Sequence, residues 1–291
     1  MKVSTFCEKN NMKILSFGEI LWDVFDTSKI IGGAPFNFAA HFVKCGGEAY
    51  LLSAVGCDEL GDAALERVKH FGVSSKYVLR HCDLPTGKCQ VTLDENKVPS
   101  YDLVKNSAWD RIDTSFVNED FDVLYFGTLS LRDEYNKKSL ETLLEKRSFS
   151  EVFVDVNLRK PFYTPETVGF AVEKATVIKV SDEELSDVAK CLSINGCIDT
   201  FPQELCKRFT NIKLVIITKG ERGSLAFDPI ENKVYNALAH KCECVSTVGA
   251  GDSFAAAFLA KYLDGEDINS CLDFASKISA RVVSHKEAIP E

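Results

Sequence analysis

The chain has 291 residues, with 34 Lys plus Arg against 43 Asp plus Glu, for a net charge of −9. At about 150 residues per domain this length allows one large α/β domain or two smaller ones, and 45% hydrophobic with 26% charged residues excludes a predominantly disordered chain. The acidic surplus excludes a nucleic-acid binder that relies on clustered Lys and Arg, so an anionic ligand must be held by backbone N–H groups and a few local basic side chains.

The opening MKVSTFCEKNN lacks the apolar stretch of a secretory signal. Short runs rich in Val, Ile, Leu or Phe at 14–17, 49–55, 123–126, 152–156, 176–179 and 214–218 read as buried parallel strands. Amphipathic stretches at 36–44, 60–71, 134–147, 165–174 and 182–192 lie between them. This alternation predicts a doubly wound, mostly parallel sheet with helices on both faces. Two places break it. Segments 20–25 and 29–31 read as strands directly after the first core strand, and 88–93 and 100–105 flank the polar turn Asp94-Glu95-Asn96-Lys97 as a hairpin. Together they predict a small β-sheet lid, from segments near 20–33 and 86–107. The last third reads as a hairpin, 224–227 with 233–236, then helices near 250–263 and 267–284. No repeat, low-complexity tract or linker divides the chain, so a single domain over 1–291 is expected.

The apolar run from Phe254 to Ala260 is too short to span a bilayer, and a cytoplasmic protein without membrane or nucleic-acid partners is expected. Eleven cysteines scattered from Cys7 to Cys271 form no disulfide framework. Neither Cys242 with Cys244 nor Cys191 with Cys197 has zinc-like spacing. Mostly buried free thiols are the expectation.

Common nucleotide signatures fail. The Gly87-Lys88 pair is followed by Cys89 and has Cys82 where a Walker A loop needs its first Gly. After Gly249-Ala250-Gly251, Phe254 stands where a dinucleotide fingerprint needs its third Gly. What remains is Ser246-Thr247-Val248-Gly249-Ala250-Gly251-Asp252-Ser253-Phe254, running straight into an apolar helix. Small residues at a helix start leave first-turn N–H groups open, and the helix dipole favours an anion there. Asp252 either complements that dipole or, beside an anion cradle that it would otherwise repel, works as a general base.

The Thr-x-Gly-Ala-Gly-Asp-x-Phe pattern of Thr247 to Phe254 resembles the C-terminal signature of the PfkB carbohydrate kinases, the ribokinase-like family. The family's N-terminal signature is matched by Gly32-Gly33-Ala34-Pro35-Phe36-Asn37-Phe38-Ala39, with Gly46 and Gly56 at the later spacings. Gly18-Glu19-Ile20-Leu21-Trp22-Asp23-Val24-Phe25, Ala108-Trp109-Asp110 and the stretch from Asp155 to Tyr163 are most similar to fructokinases. The resemblance spans essentially the whole chain. It implies a ribokinase-like three-layer α/β sandwich, with ATP and Mg²⁺ bound and a sugar phosphorylated on a primary hydroxyl. Fructose yielding fructose 6-phosphate heads the acceptors. Ribose, 2-keto-3-deoxygluconate, a nucleoside, or a silent sugar-sensing binding protein are the alternatives.

The resemblance also assigns roles. Asp252 takes the hydroxyl proton while Gly249, Ala250 and Gly251 present N–H groups to the transferring phosphoryl. Asp23, Gly32, Gly33, Asn37 and Asn157 would face the sugar, and Arg159 would hold a phosphate or sugar oxygen. Their structural alternatives are turn, cap and solvated-loop positions. Thr218, Lys219, Gly220, Gly223 and Thr247 fall at nucleotide contacts, and Ser276 and Val283 at the adenine by spacing. Glu184 would act on the metal through water. Two positions depart from the family: Ser246 replaces an Asp that helps hold a monovalent cation, which puts potassium activation in doubt, and Ser181 replaces the Asn of Asn-x-x-Glu. Leu21, Trp22 and Phe25 are expected on an apolar lid surface, as a lid-to-lid homodimer contact.

Overall fold

The computed structural model describes residues 12–25, 28–93 and 99–291. Strand β1 (Lys13–Phe17) is followed by β2 (Leu21–Val24), β3 (Lys29–Gly32) and helix α1 (Ala34–Lys44). Next come β4 (Glu48–Gly56), α2 (Glu59–His70), β5 (Ser74–His81), β6 (Gly87–Leu93) and β7 (Pro99–Leu103). The centre holds β8 (Val123–Gly127), α3 (Glu134–Lys146), β9 (Glu151–Asp155), α4 (Pro165–Lys174), β10 (Val177–Ser181), α5 (Leu185–Leu192) and α6 (Phe201–Arg208). The chain closes with β11 (Leu214–Thr218), β12 (Ser224–Asp228), β13 (Lys233–Ala237), α7 (Ala250–Leu263) and α8 (Ile268–Val283).

Nine strands form one sheet in the order β13-β12-β11-β10-β9-β8-β1-β4-β5. All neighbours from β11 to β5 are parallel, and β12 and β13 add antiparallel strands at one edge. Parallel strands buried on both faces need continuous apolar runs, and β1, β8, β9, β10 and β11 supply them. One face packs against α1, α2, α7 and α8, the other against α3 to α6, which completes the three layers. The order reverses at β1, between β4 and β8, and ligands of such sheets bind outside the carboxyl ends near that point. Helix α7 is buried through its middle: Ala255, Ala256, Ala257, Phe258 and Leu259 are wholly enclosed. That burial rigidly fixes its N-terminal turn at the carboxyl edge of the sheet.

A separate four-stranded sheet has the order β3-β2-β6-β7. It is the expected lid, with one parallel pairing (β2 with β6) between two antiparallel ones. The turn expected at 94–97 lies outside the described residues. Leu21 is 5% exposed, and Trp22 donates its indole N–H to the Leu60 carbonyl at 3.0 Å. Of the three residues expected on an apolar lid surface, Leu21 is therefore buried within this chain, while Trp22 and Phe25 stay partly exposed.

Three local expectations are corrected. The edge strand β5 was not anticipated, because SSKYVLRH buries only Tyr77 and carries polar residues on both sides. Helix α5 starts at Leu185 rather than 182, since Asp182 to Glu184 form a turn closed by the Glu184 N–H on the Ser181 carbonyl at 3.1 Å. The cysteines are not all free: Cys57 and Cys82 are disulfide-bonded. The β4–β5 register sets Gly56 beside His81, so the next residue on each strand, Cys57 and Cys82, comes abreast. Among the described free cysteines only Cys89 and Cys271 are buried.

Candidate active site

Gly249 caps α7 in the left-handed region, at φ 79°. A Cβ there would stand 2.7 Å from the Ala288 carbonyl oxygen, so the turn tolerates only glycine. The Ala250 N–H donates to the Thr247 carbonyl at 3.2 Å, which ties down one of the amides expected to face the phosphoryl. The next first-turn amides, at Gly251 and Asp252, belong to the helix end that has no intrahelical acceptor. The Asp252 carboxylate accepts a hydrogen bond from Asn37 Nδ2 at 2.8 Å. Burial raises the Asp252 pKa, and the Asn37 hydrogen bond and the charges of Lys179 and Arg159 restrain the rise. A carboxylate with a raised pKa at a helix start is suited to accept a proton.

Asn37 comes from the first turn of α1, which begins immediately after Gly32 and Gly33. Gly33 is at φ 109°, and a Cβ on it would stand 2.4 Å from the Glu19 carbonyl oxygen. A Cβ on Gly32 would lie 3.1 Å from Asp23 Oδ2, so the Asp23 carboxylate spans this glycine. Burial pushes the Asp23 pKa up to about 6, against a hydrogen bond from the Cys89 thiol and the charge of Arg159. Arg159 itself is exposed, on the loop after β9. Its positive charge also lowers the pKa of Glu19 and Asp252 against the larger effect of their burial. Asn157 adopts φ 40° on that loop, a conformation Asn tolerates better than most residues, and so turns the chain after β9.

Two polar atoms in this region are buried without partners. Asn37 Oδ1 is one and Glu19 Oε2 the other. Buried polar atoms are normally paired, and a polyol that brings hydroxyl donors would satisfy both. Glu19 Oε1 accepts the Ala34 N–H at 3.2 Å. Burial lifts the Glu19 pKa to about 7, and the Asp252 charge adds to the rise.

On the phosphate side, Glu184 accepts from the Ser181 N–H at 2.9 Å and the Ser181 hydroxyl at 2.8 Å. Its other oxygen accepts from the Leu158 N–H. Ser181 thus uses its hydroxyl where the family has an amide. Among the described residues no three His, Cys, Asp or Glu side chains cluster to hold a metal ion. The Glu184 carboxylate, whose two oxygens already accept from Leu158 and Ser181, would meet Mg²⁺ through the ion's own waters rather than directly.

Thr218 ends β11 and its carbonyl accepts the Asp182 N–H at 2.9 Å. Lys219, Gly220 and Gly223 form the next turn, closed by the Lys219 N–H on the Gly223 carbonyl at 2.8 Å. Gly223 is required there, since its Cβ would stand 2.0 Å from the Ala237 oxygen. Ser276 accepts the His240 N–H at 3.0 Å, and the Val283 carbonyl accepts from Val245 at 2.8 Å and Ser246 at 3.1 Å. Both α8 residues pin the segment between β13 and α7.

Sequence reasoning missed Lys179 and gave Asp155 no role of its own. They are register partners on β10 and β9, with Lys179 Nζ 2.9 and 2.8 Å from the two Asp155 oxygens. Burial opposes the Lys179 charge, but Asp155, Glu184 and Asp252 outweigh it and the pKa ends above the ordinary lysine value. The signal was a lone lysine inside the apolar run VIKVS, because a buried lysine must be paired.

The pfkB family carbohydrate kinase description matches residues 3–291 of the chain. The chain is 29% identical over 316 residues to probable fructokinase-5 of Arabidopsis thaliana, covering 97% of this chain and 94% of that protein. Its fold is similar to a fructokinase with bound ATP from Xylella fastidiosa, at a TM-score of 0.85 and 20% identity over 96% of this chain and 94% of that one. Fructokinase from Vibrio cholerae O395, in its fructose, ADP and calcium ion bound form, superposes at 0.82 with 22% identity, over 96% and 95%. With its two signature segments meeting at Asn37 and Asp252, the chain belongs to the pfkB family of carbohydrate kinases and is a phosphotransferase with an alcohol group as acceptor.

Proposed function

We propose that this enzyme transfers the γ-phosphoryl of ATP to a primary hydroxyl of a small sugar, D-fructose yielding fructose 6-phosphate. The observation that carries the reading is the 2.8 Å bond between Asn37, in the sugar-side signature, and Asp252, at the start of the phosphate-side helix. It ties a part-buried carboxylate to the segment that follows the small sheet's Gly32 and Gly33. The acceptor rests on the fructokinase relative and on the carboxylate of Asp23 and amide of Asn37, which suit adjacent hydroxyls.

In the reaction the sugar hydroxyl oxygen bonds to the γ-phosphorus as the bond from phosphorus to the bridging oxygen of ADP breaks. Asp252 receives the hydroxyl proton, and the first-turn N–H groups at Gly251 and Asp252 stabilise charge on the transferring oxygens. Asn37 bonds one Asp252 oxygen, Oδ2, so the other carboxylate oxygen is the one that takes the hydroxyl proton. Glu184 would hold a magnesium ion through water, which would supply positive charge against the phosphate oxygens. The lid strands carrying Asp23 close over the sugar and exclude water as a competing nucleophile. No described helix is long and apolar enough to cross a membrane.

The test is ADP production over a panel of fructose, ribose, 2-keto-3-deoxygluconate and nucleosides, with product identification. Fructose should give the highest kcat/KM and the 6-phosphate. Preferential turnover of another acceptor would replace fructose, and no turnover with any would overturn the sugar-kinase reading.

A further inference from the structure

Lys179 is the single charged residue in β10. Its ammonium makes a two-pronged contact with Asp155 and is 5% exposed, its partner 2%. Such a pair is not explained by stability, since apolar replacements of buried ion pairs are often neutral or stabilising. A second, independent observation concerns Gly251. It occupies the second position of α7 with helical backbone, where glycine is a poor choice compared with alanine. A Cβ there would meet only two atoms within 4 Å, Lys179 Nζ at 3.3 Å and Lys179 Cε at 3.9 Å. The backbone does not demand glycine at this position. What glycine does is leave open the space between the lysine ammonium and the N–H groups of the first turn.

We propose that Lys179 is a catalytic residue, whose ammonium, held by Asp155 beside Gly251, contacts the transferring phosphoryl and stabilises the charge on its oxygens. The inference rests on the sugar-kinase reading above and extends it to a group outside both family signatures. As the sugar oxygen–phosphorus bond forms and the bond to ADP breaks, the proton goes to Asp252 and Lys179 keeps its own. A fixed, water-excluded cation is worth most where charge spreads over the transferring group. It also supplies, from a buried strand, the positive field that a chain with net charge −9 lacks at its surface.

The test uses Lys179→Met combined with Asp155→Asn, so that neither variant residue leaves a buried charge unpaired, and Gly251→Ala separately. The double variant should bind ADP and fructose within about threefold of wild type and lose kcat by about 10²–10³-fold. ADP with fructose and aluminium fluoride, which imitates the transferring phosphoryl, should tighten ADP binding in the wild type and not in the double variant. Gly251→Ala should keep or raise the thermal midpoint, because alanine favours the helix, while lowering kcat at least about tenfold. If wild type phosphorylates no sugar, the sugar-kinase reading fails and this assignment with it. If wild type turns over and the double variant stays within threefold of it, or traps aluminium fluoride equally well, only the assignment to Lys179 is overturned.

Discussion

Asn37 and Asp252 stand 215 positions apart and are joined by a 2.8 Å hydrogen bond from the amide nitrogen to a carboxylate oxygen. Each lies in the first turn of its own helix, α1 and α7, on the same face of the large sheet. The bond orients the proposed base and favours its ionised form, while Asn37 keeps an unpaired oxygen for an incoming hydroxyl. Four predictions follow the chemistry outward from this pair.

Replacing Asp252 with Asn removes proton acceptance and retains the shape of the site. The expected result is a kcat lower by about 10²–10⁴-fold, with fructose affinity by calorimetry changed by less than about threefold. Wild-type turnover in this variant would remove Asp252 from the role of base.

Asn37→Ala deletes a hydrogen bond that lowers the Asp252 pKa. The free-enzyme pKa of Asp252 should then rise, because the bond favours the charged carboxylate. The acid limb of the kcat/KM–pH profile should therefore move to higher pH, along with a weaker KM for sugar. An unshifted limb would show that the profile reports another group.

Glu19 is raised from 4.5 to about 7 by burial. The folded state thus binds its proton more tightly than the unfolded chain, and this contribution, full below about pH 4.5, is lost as pH rises through about 7. Its size is on the order of 3 kcal/mol from the shift. Thermal midpoints of Glu19→Gln minus wild type should become more favourable to the variant between pH 5 and 8. A difference independent of pH would mean that Glu19 ionises freely in the fold.

Reducing the Cys57–Cys82 bond opens a loop with a sequence separation of 25. Loop-closure entropy assigns such a link about 2–4 kcal/mol, so dithiothreitol and Cys57→Ser should lower the thermal midpoint alike. Alkylation with mass spectrometry must show the pair protected before reduction and labelled after it. Equal labelling in both states would show two free thiols.

Much of the fold was legible because its signals are local. The apolar runs of β1, β8, β9, β10 and β11 show their burial by composition. Pro35 after two glycines, and Gly249 with Gly251 before an apolar stretch, show two helix starts. Illegible elements were those whose partners supply the reason for them. Strand β5 has no apolar run of its own and exists because β4 offers it an edge. Cys57 and Cys82 are ordinary thiols until that pairing sets them side by side. Trp22 reads as an exposed lid residue until the Leu60 carbonyl appears within reach of its indole.

By itself, the sequence determined the order of the apolar core strands and of the helices other than α6, the glycines that the two tight helix starts require, and the residue types able to hold hydroxyls and phosphates. These depend on the preferences of each residue and its near neighbours in the chain. Only the tertiary structure decided which charges are buried and with whom: Lys179 beside Asp155, Glu19 with one oxygen unpaired, and Asp252 fastened to Asn37. Desolvation and pairing depend on distance through space, and strands 24 residues apart become neighbours only when the β9–β10 register is formed.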